Sequence, residues 1–169
     1  MGPEPVHSLI ICLQVSDMKS CFFIGHREIS CSLLPLLDSA VEQHITEFGV
    51  EEFIVGGYGN FDRMVTATLR KMKMEYPHIF LTLLLPYHPS HRHVIMPDGF
   101  DRSFYPPEME KVPMRLAIVR ANRYMVDHSD YLICNVWHPA SNARELLEYA
   151  QRRQAKGLIH IQNIAPNGN

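Results

Sequence analysis

The chain alternates short apolar runs with longer stretches whose apolar residues recur every three or four positions. Cys21-Phe22-Phe23-Ile24, Phe53-Ile54-Val55 and Ile79 to Leu85 are such runs, each stopped by a glycine or a proline. Near-continuous hydrophobicity predicts strands buried on both faces of a parallel sheet, whereas a half-exposed strand would alternate apolar with polar. Tyr131 to Val136 and Leu158 to Ile161 predict a fourth and a fifth strand. Between the first two, Leu33, Leu34, Leu36, Leu37, Ala40, Val41 and Ile45 keep a helical period that closes at Gly49. Ser32 could cap that helix, with Pro35 tolerated in its first turn. A second helix is expected from about Phe61 to Glu75, with Met64, Val65, Thr68, Leu69 and Met72 on one face. A third is expected from about Met114 to Val126. The last opens at Ser141 or Asn142 and ends near Lys156-Gly157.

Strands alternating with helices predict an α/β fold, a Rossmann-like three-layer sandwich with a mostly parallel central sheet of about five strands. Residues 18–169 are expected to form one domain, preceded by an N-terminal extension, residues 1–17. In that extension Leu9 to Val15 could add an edge strand or pack on the surface. The proline-rich passage from Pro86 to Pro113 reads as a long loop, and a loop of that length inside a compact domain is usually a lid or a pocket wall. In open parallel sheets ligands sit beyond the carboxyl ends of the strands, at the switch in strand order. Gly25-His26-Arg27, Gly56 to Asp62, the passage after Pro86 and Trp137-His138-Pro139 all follow strands, so they are expected to converge on one edge.

Composition narrows the function without naming it. The chain has 169 residues, 46% of them hydrophobic and 20% charged, which suits a folded domain with a sizeable core. A formal charge of -2 gives no reason to expect nucleic acid as a partner. Cys12, Cys21, Cys31 and Cys134 show no CxxC spacing and read as reduced thiols in a cytoplasmic protein. Cys21 and Cys134, inside strands, are expected to be buried and inert. The apolar run Leu9 to Leu13 is too short to span a bilayer and lacks the flanks of a secretory signal, so no membrane partner is expected.

The candidate chemistry centres on the turn Gly56-Gly57-Tyr58-Gly59-Asn60-Phe61-Asp62. A strand, a glycine turn and a helix present backbone N–H groups and a positive helix end to an anion, usually phosphate. Gly56, Gly57 and Gly59 would let a ligand approach the backbone; the alternative is a tight turn with no ligand. Asn60 tolerates the left-handed conformation such turns often need. Asp62 could bind ribose hydroxyls or simply complement the helix dipole. Arg27 could pair bidentately with phosphate, or be a solvated surface arginine. Ser141 and Asn142 could bind phosphate at the next helix start. Trp137 could stack on a base or fill the core.

Asp127 and Asp130 could steady the oxocarbenium-like transition state of N-glycosidic cleavage, or serve as caps and turn formers. His88, His91 and His93 raise the question of zinc, but no cysteine or acidic ligand accompanies them, so neither metal nor cofactor is expected.

Three segments together resemble a known family. Phe23-Ile24-Gly25-His26-Arg27 resembles the TGHR opening of the YpsA-like branch of the SLOG superfamily, which groups Smf/DprA proteins with Lonely Guy proteins. Gly56-Gly57-x-x-Asn60-x-Asp62 resembles its GGxxGxD turn, with Asn60 replacing a glycine. The stretch from Asn122 to Ile133 resembles its NxxMVDxSDxLI segment and is the most specific of the three. The resemblance covers about Met18 to Asn163 and implies a Rossmann-like fold that binds a nucleotide or nucleotide-sugar. Where many members carry a glycine-threonine phosphate loop, this chain has Trp137-His138-Pro139-Ala140-Ser141-Asn142. The catalytic glutamate of the phosphoribohydrolase members has no secure counterpart.

The leading expectation is a nucleotide or nucleotide-sugar binding protein, a sensor among the roles open to it. Gly25, Arg27, the glycine turn with Asn60, and Asn122, Trp137, Ser141 and Asn142 would contact the ligand, with Asp62, Asp127 and Asp130 on the ribose. The alternatives are an N-glycosidic hydrolase of a nucleoside monophosphate, with Asp127 and Asp130 as catalytic residues, and an interaction protein with a vestigial cleft. Self-association is left open.

Overall fold

The apolar runs become the middle of one sheet. In the computed structural model, which describes residues 18–166, the strands are β1 (Ser20–Gly25), β2 (Glu52–Val55), β3 (Phe80–Leu84), β4 (Arg102–Phe104), β5 (Tyr131–Asn135) and β6 (His160–Asn163). The expected extension, residues 1–17, lies outside the described residues. The helices are α1 (Leu34–Thr46), α2 (Asn60–Glu75), α3 (Ala117–His128) and α4 (Asn142–Gln154). The strand order is β4-β3-β2-β1-β5-β6 and every neighbouring pair is parallel. The fold is therefore an α/β, Rossmann-like three-layer sandwich with six strands rather than five.

Successive residues of β1 serve opposite faces, as strand geometry requires. Cys21 and Phe23 pack with Leu37, Val41, Val65 and Leu69 of α1 and α2. Phe22 and Ile24 pack with Ala121, Met125, Leu147 and Ala150 of α3 and α4. Both faces are covered, so a side chain such as Phe22, Phe23 or Phe53 is wholly enclosed. Each such burial contributes about 1.5–3 kcal/mol. Cys21 and Cys134 are buried within the strands, and burial pushes both thiols up, that of Cys134 to about 12.

Local chemistry shifts several boundaries. Ser30, not Ser32, caps the first helical segment, accepting from the Ser32 N–H at the start of a 3-10 turn over Cys31–Leu33. Pro35 then stands in the first turn of α1, where its missing N–H costs nothing. Two more 3-10 turns follow β4, Met109–Lys111 and Met114–Leu116, and the latter leads into α3. β6 begins at His160, two residues later than the apolar pattern suggests; Ile159 is buried just ahead of it and Leu158 is exposed.

The additional strand, β4, lies in the proline-rich passage and is held by side chains rather than by its own hydrophobicity. Arg102 Nε donates to Thr82 Oγ1 at 3.2 Å, and the same guanidinium pairs with Glu52. Asp101 Oδ2 accepts the Leu81 N–H at 2.8 Å and pairs with Lys73 at 2.9 Å.

Because all strands run the same way, the turns after β1, β2, β3 and β5 share one edge of the sheet. Gly25, the last residue of β1, is level with Asn135, the last of β5. From β1 the chain order runs outward in one direction through β2 and β3, and in the other through β5, so β1 and β5 flank the switch point.

Candidate functional site

At that switch point a cavity of about 320 Å³ opens. Gly25, His26 and Arg27 line it from β1, Gly56, Tyr58 and Asp62 from the β2–α2 turn, and Ser141 and Asn142 from the start of α4. Asn122 of α3 closes one side, beside an apolar wall that includes Ile118, Val119 and Leu146.

The β2–α2 turn is held by its own acid. Asp62 Oδ2 accepts the Tyr58 N–H at 2.9 Å, and no side chain caps α2. The first turn of α2, whose N–H groups lack a side-chain cap and which carries the positive end of the helix dipole, reaches the cleft at Asp62. Burial raises the Asp62 carboxyl above the ordinary carboxylate range, with the Tyr58 N–H acting in the opposite direction. Gly56 leaves room for this carboxylate, since a Cβ there would stand 3.2 Å from Asp62 Oδ2.

The β5–α4 loop is held from across the sheet. His26 Nε2 accepts the backbone N–H groups of both Trp137 and His138, each at 3.0 Å. Burial lowers the His26 pKa, and the nearby charges of His138 and Arg144 lower it further, so the neutral ring that accepts these bonds is favoured. His138 Nδ1 accepts the Ala140 N–H at 3.1 Å, and Ser141 Oγ accepts the Arg144 N–H at 3.1 Å as the cap of α4. The Ser141 hydroxyl also donates to His138 O at 3.3 Å, so it is engaged before any ligand arrives. Asn142, one residue on, is exposed at the mouth.

Arg27 is exposed at the rim and has no ion-pair partner among the described residues. Arg144, in the first turn of α4, has its Nε buried without a partner among the described residues. Asp62 is the one carboxylate in the lining. The balance of side chains and helix ends therefore favours an anion.

Other candidate residues lie elsewhere. Gly57 faces an adjoining chamber rather than this cavity. Gly59 and Asn60 start α2 outside both linings. Asn60 does not use the left-handed conformation: among the described residues only Glu108 does so without being glycine. The turn is made instead by extended backbone at Gly59, with φ 169, which passes directly into the helix. Trp137, 49% exposed, sits behind the His26 ring in a separate depression with Ser30 and Asn135.

Asp127 and Asp130 are at the opposite edge of the sheet, which corrects the expectation that they meet the sugar. Asp127 closes the last turn of α3, where its Oδ1 accepts from Tyr149 Oη and pairs with Arg153 at 3.3 Å. Asp130 precedes β5, and its Oδ2 accepts the Ser20 N–H at 2.9 Å, joining the starts of β1 and β5. Both carboxylates are structural partners there, far along the strands from the glycine turn.

His26 and Tyr58 are site residues to which the sequence assigned no role. The available signal was position alone: each stands inside a turn already singled out. Among the described residues no group of three or more histidines, cysteines or acids is arranged to hold a metal. No described helix is long and apolar enough to cross a membrane. No family model matches the chain, and no curated protein matches it.

Proposed function

We propose that the chain binds a nucleotide or nucleotide-sugar in the cleft at the carboxyl edge of its parallel sheet. One observation carries this reading: Arg27, Asp62 from the first turn of α2, and Ser141 and Asn142 at the start of α4 line a single cavity at the switch point. Its volume of about 320 Å³ is at the lower end of the range of roughly 300–1,000 Å³ typical of small-molecule sites. The N–H groups of α2 and the Arg27 guanidinium would hold phosphate. Asp62 would accept sugar hydroxyls, and the wall of Ile118, Val119 and Leu146 would cover a base.

The SLOG resemblance supports the same reading, because Gly25-His26-Arg27 and the Gly56 to Asp62 turn both front this cleft. Of the third segment, Asn122 alone reaches it. Binding, with sensing as its use, is preferred to hydrolysis because Asp62 is left as the one acid at hand. A cytoplasmic setting belongs to the proposal and is supported by the free thiols of Cys21, Cys31 and Cys134.

Thermal-shift and calorimetric titration with nucleoside phosphates and nucleoside diphosphate sugars tests the proposal. A ligand at a hundred times its dissociation constant adds about 2.7 kcal/mol of stability. Arg27→Ala is expected to weaken binding about 10- to 100-fold, the cost of lost charge-assisted hydrogen bonds. Failure of every nucleotide to bind overturns the reading and favours a protein-interaction role. Release of free base during incubation would instead favour the hydrolase.

A further inference from the structure

The cleft has a second chamber. A cavity of about 500 Å³ adjoins the first and shares with it Gly56, Tyr58, Asp62, Leu84 and Pro86. Its own walls carry Arg63, from the first turn of α2, with Arg92 and His93 from the proline-rich passage. Arg63 Nη1 approaches Asn60 Oδ1 at 3.4 Å, and the Arg92 guanidinium lies 4.1 Å from the centre of the Tyr87 ring. Neither arginine has a carboxylate partner among the described residues, and the shared Asp62 is again the one acid in the lining.

The order across the two chambers is therefore arginine, acid, arginine: Arg27 on one side, Asp62 in the dividing wall, Arg63 and Arg92 on the other. An acid in the middle suits hydroxyl groups, which donate to it. Cations on both sides suit negative charge at two separated points of one ligand. A single phosphate would leave Arg63 and Arg92 facing an empty basic chamber.

We propose that the ligand spans both chambers as a sugar bearing two separated phosphates, one towards Arg27 and one towards Arg63 and Arg92, with its hydroxyls against Asp62. This rests on the nucleotide-binding reading above and adds to it a ligand class, exemplified by nucleoside 3′,5′-bisphosphates. Tyr58, in the shared wall, would lie along the sugar.

The test compares the 5′-monophosphates of the four ribonucleosides with their 3′,5′-bisphosphates by calorimetry, on the unmodified chain and on the double variant Arg63→Ala, Arg92→Ala. At least one bisphosphate is expected to bind about tenfold or more tightly than its monophosphate, as one added charge-assisted contact implies. The double variant should lose that advantage while its affinity for the monophosphate stays within about twofold. Both arginines are exposed, so the variant should keep the thermal midpoint of the unmodified chain. Monophosphate binding with no gain from the second phosphate, or a gain that survives the double variant, overturns the inference and leaves the first reading standing. No binding by either series overturns the inference, and the first reading falls with it if the nucleoside diphosphate sugars also fail to bind.

Discussion

Gly25 and Phe61 touch so closely that a Cβ on the glycine would stand 2.4 Å from Phe61 Cδ1. Phe61 is almost wholly buried beneath the cleft, so the ring has nowhere to retreat. Gly57 differs, because a Cβ there would meet only Leu83 Cδ1 at 4.0 Å, and its backbone is not left-handed. Gly25→Ala is expected to lose about 1–3 kcal/mol through overpacking, read from urea unfolding. Gly57→Ala should match the unmodified chain or exceed it by about 0.4–1 kcal/mol. It should nonetheless weaken binding of a bisphosphate that reaches the second chamber, which Gly57 lines, by about tenfold. Equal affinity in Gly57→Ala would show that no ligand reaches it.

His26 gives the cleft a pH dependence of known sign. Its folded pKa lies below the ordinary imidazole value of about 6.5. Below that value the unfolded chain takes up a proton that the folded ring resists, so stability is full above it and falls as pH drops towards the folded value. His44, buried with its Nδ1 against Ala40 O, is shifted in the same direction and adds to the slope. Amide resonances separate the two: those of Trp137 and His138 should move as His26 protonates and gives up their N–H groups. In His26→Gln the part of that movement due to His26 should be lost, leaving only what the His138 side chain itself contributes.

Asp62 has the opposite sign. Burial raises its carboxyl pKa, so stability is lost as pH rises from the ordinary carboxylate value through the folded one. Asp62→Asn, whose amide oxygen still accepts the Tyr58 N–H, should therefore melt higher than the unmodified chain at pH 7. The difference should vanish well below the ordinary carboxylate value, where the carboxyl is neutral both folded and unfolded, and ligand affinity should fall. A lower melting point at pH 7 would mean that the carboxylate is a needed structural partner.

Asp127→Ala separates structure from function at the far edge. It removes the partners of Tyr149 Oη and Arg153, so a loss of about 1–3 kcal/mol is expected in urea unfolding. Nucleotide affinity should stay within about twofold. A large loss of binding in a folded variant would return Asp127 to the site.

The same order of elements that made the cleft legible also placed Asp127 and Asp130 outside it. Arg27, Gly56 and Ser141 follow strands, whereas Asp127 and Asp130 precede one, and in a parallel sheet those are opposite edges. Apolar runs were enough to find β1, β2, β3 and β5, because strands enclosed on both faces need no alternation. β4 was not legible: Arg-Ser-Phe has no buried residue, and its pairing depends on Thr82 and Glu52, distant in sequence. Nor could the sequence show that His26 fixes the loop 111 residues away, because a hydrogen bond to a backbone N–H leaves no trace in the residue that donates it.

The neighbouring β1 and β5 are also the seam between two portions of the chain. Everything on one side of it belongs to β1–β4, everything on the other to β5 and β6, and the cavity takes walls from both. A bound molecule would therefore act as a clamp across the seam, raising hydrogen-exchange protection throughout the central strands rather than in one loop. For the same reason, a chain severed between β4 and α3, at the exposed Pro107-Glu108, would yield two fragments, each carrying part of the site, and ligand should promote their reassembly.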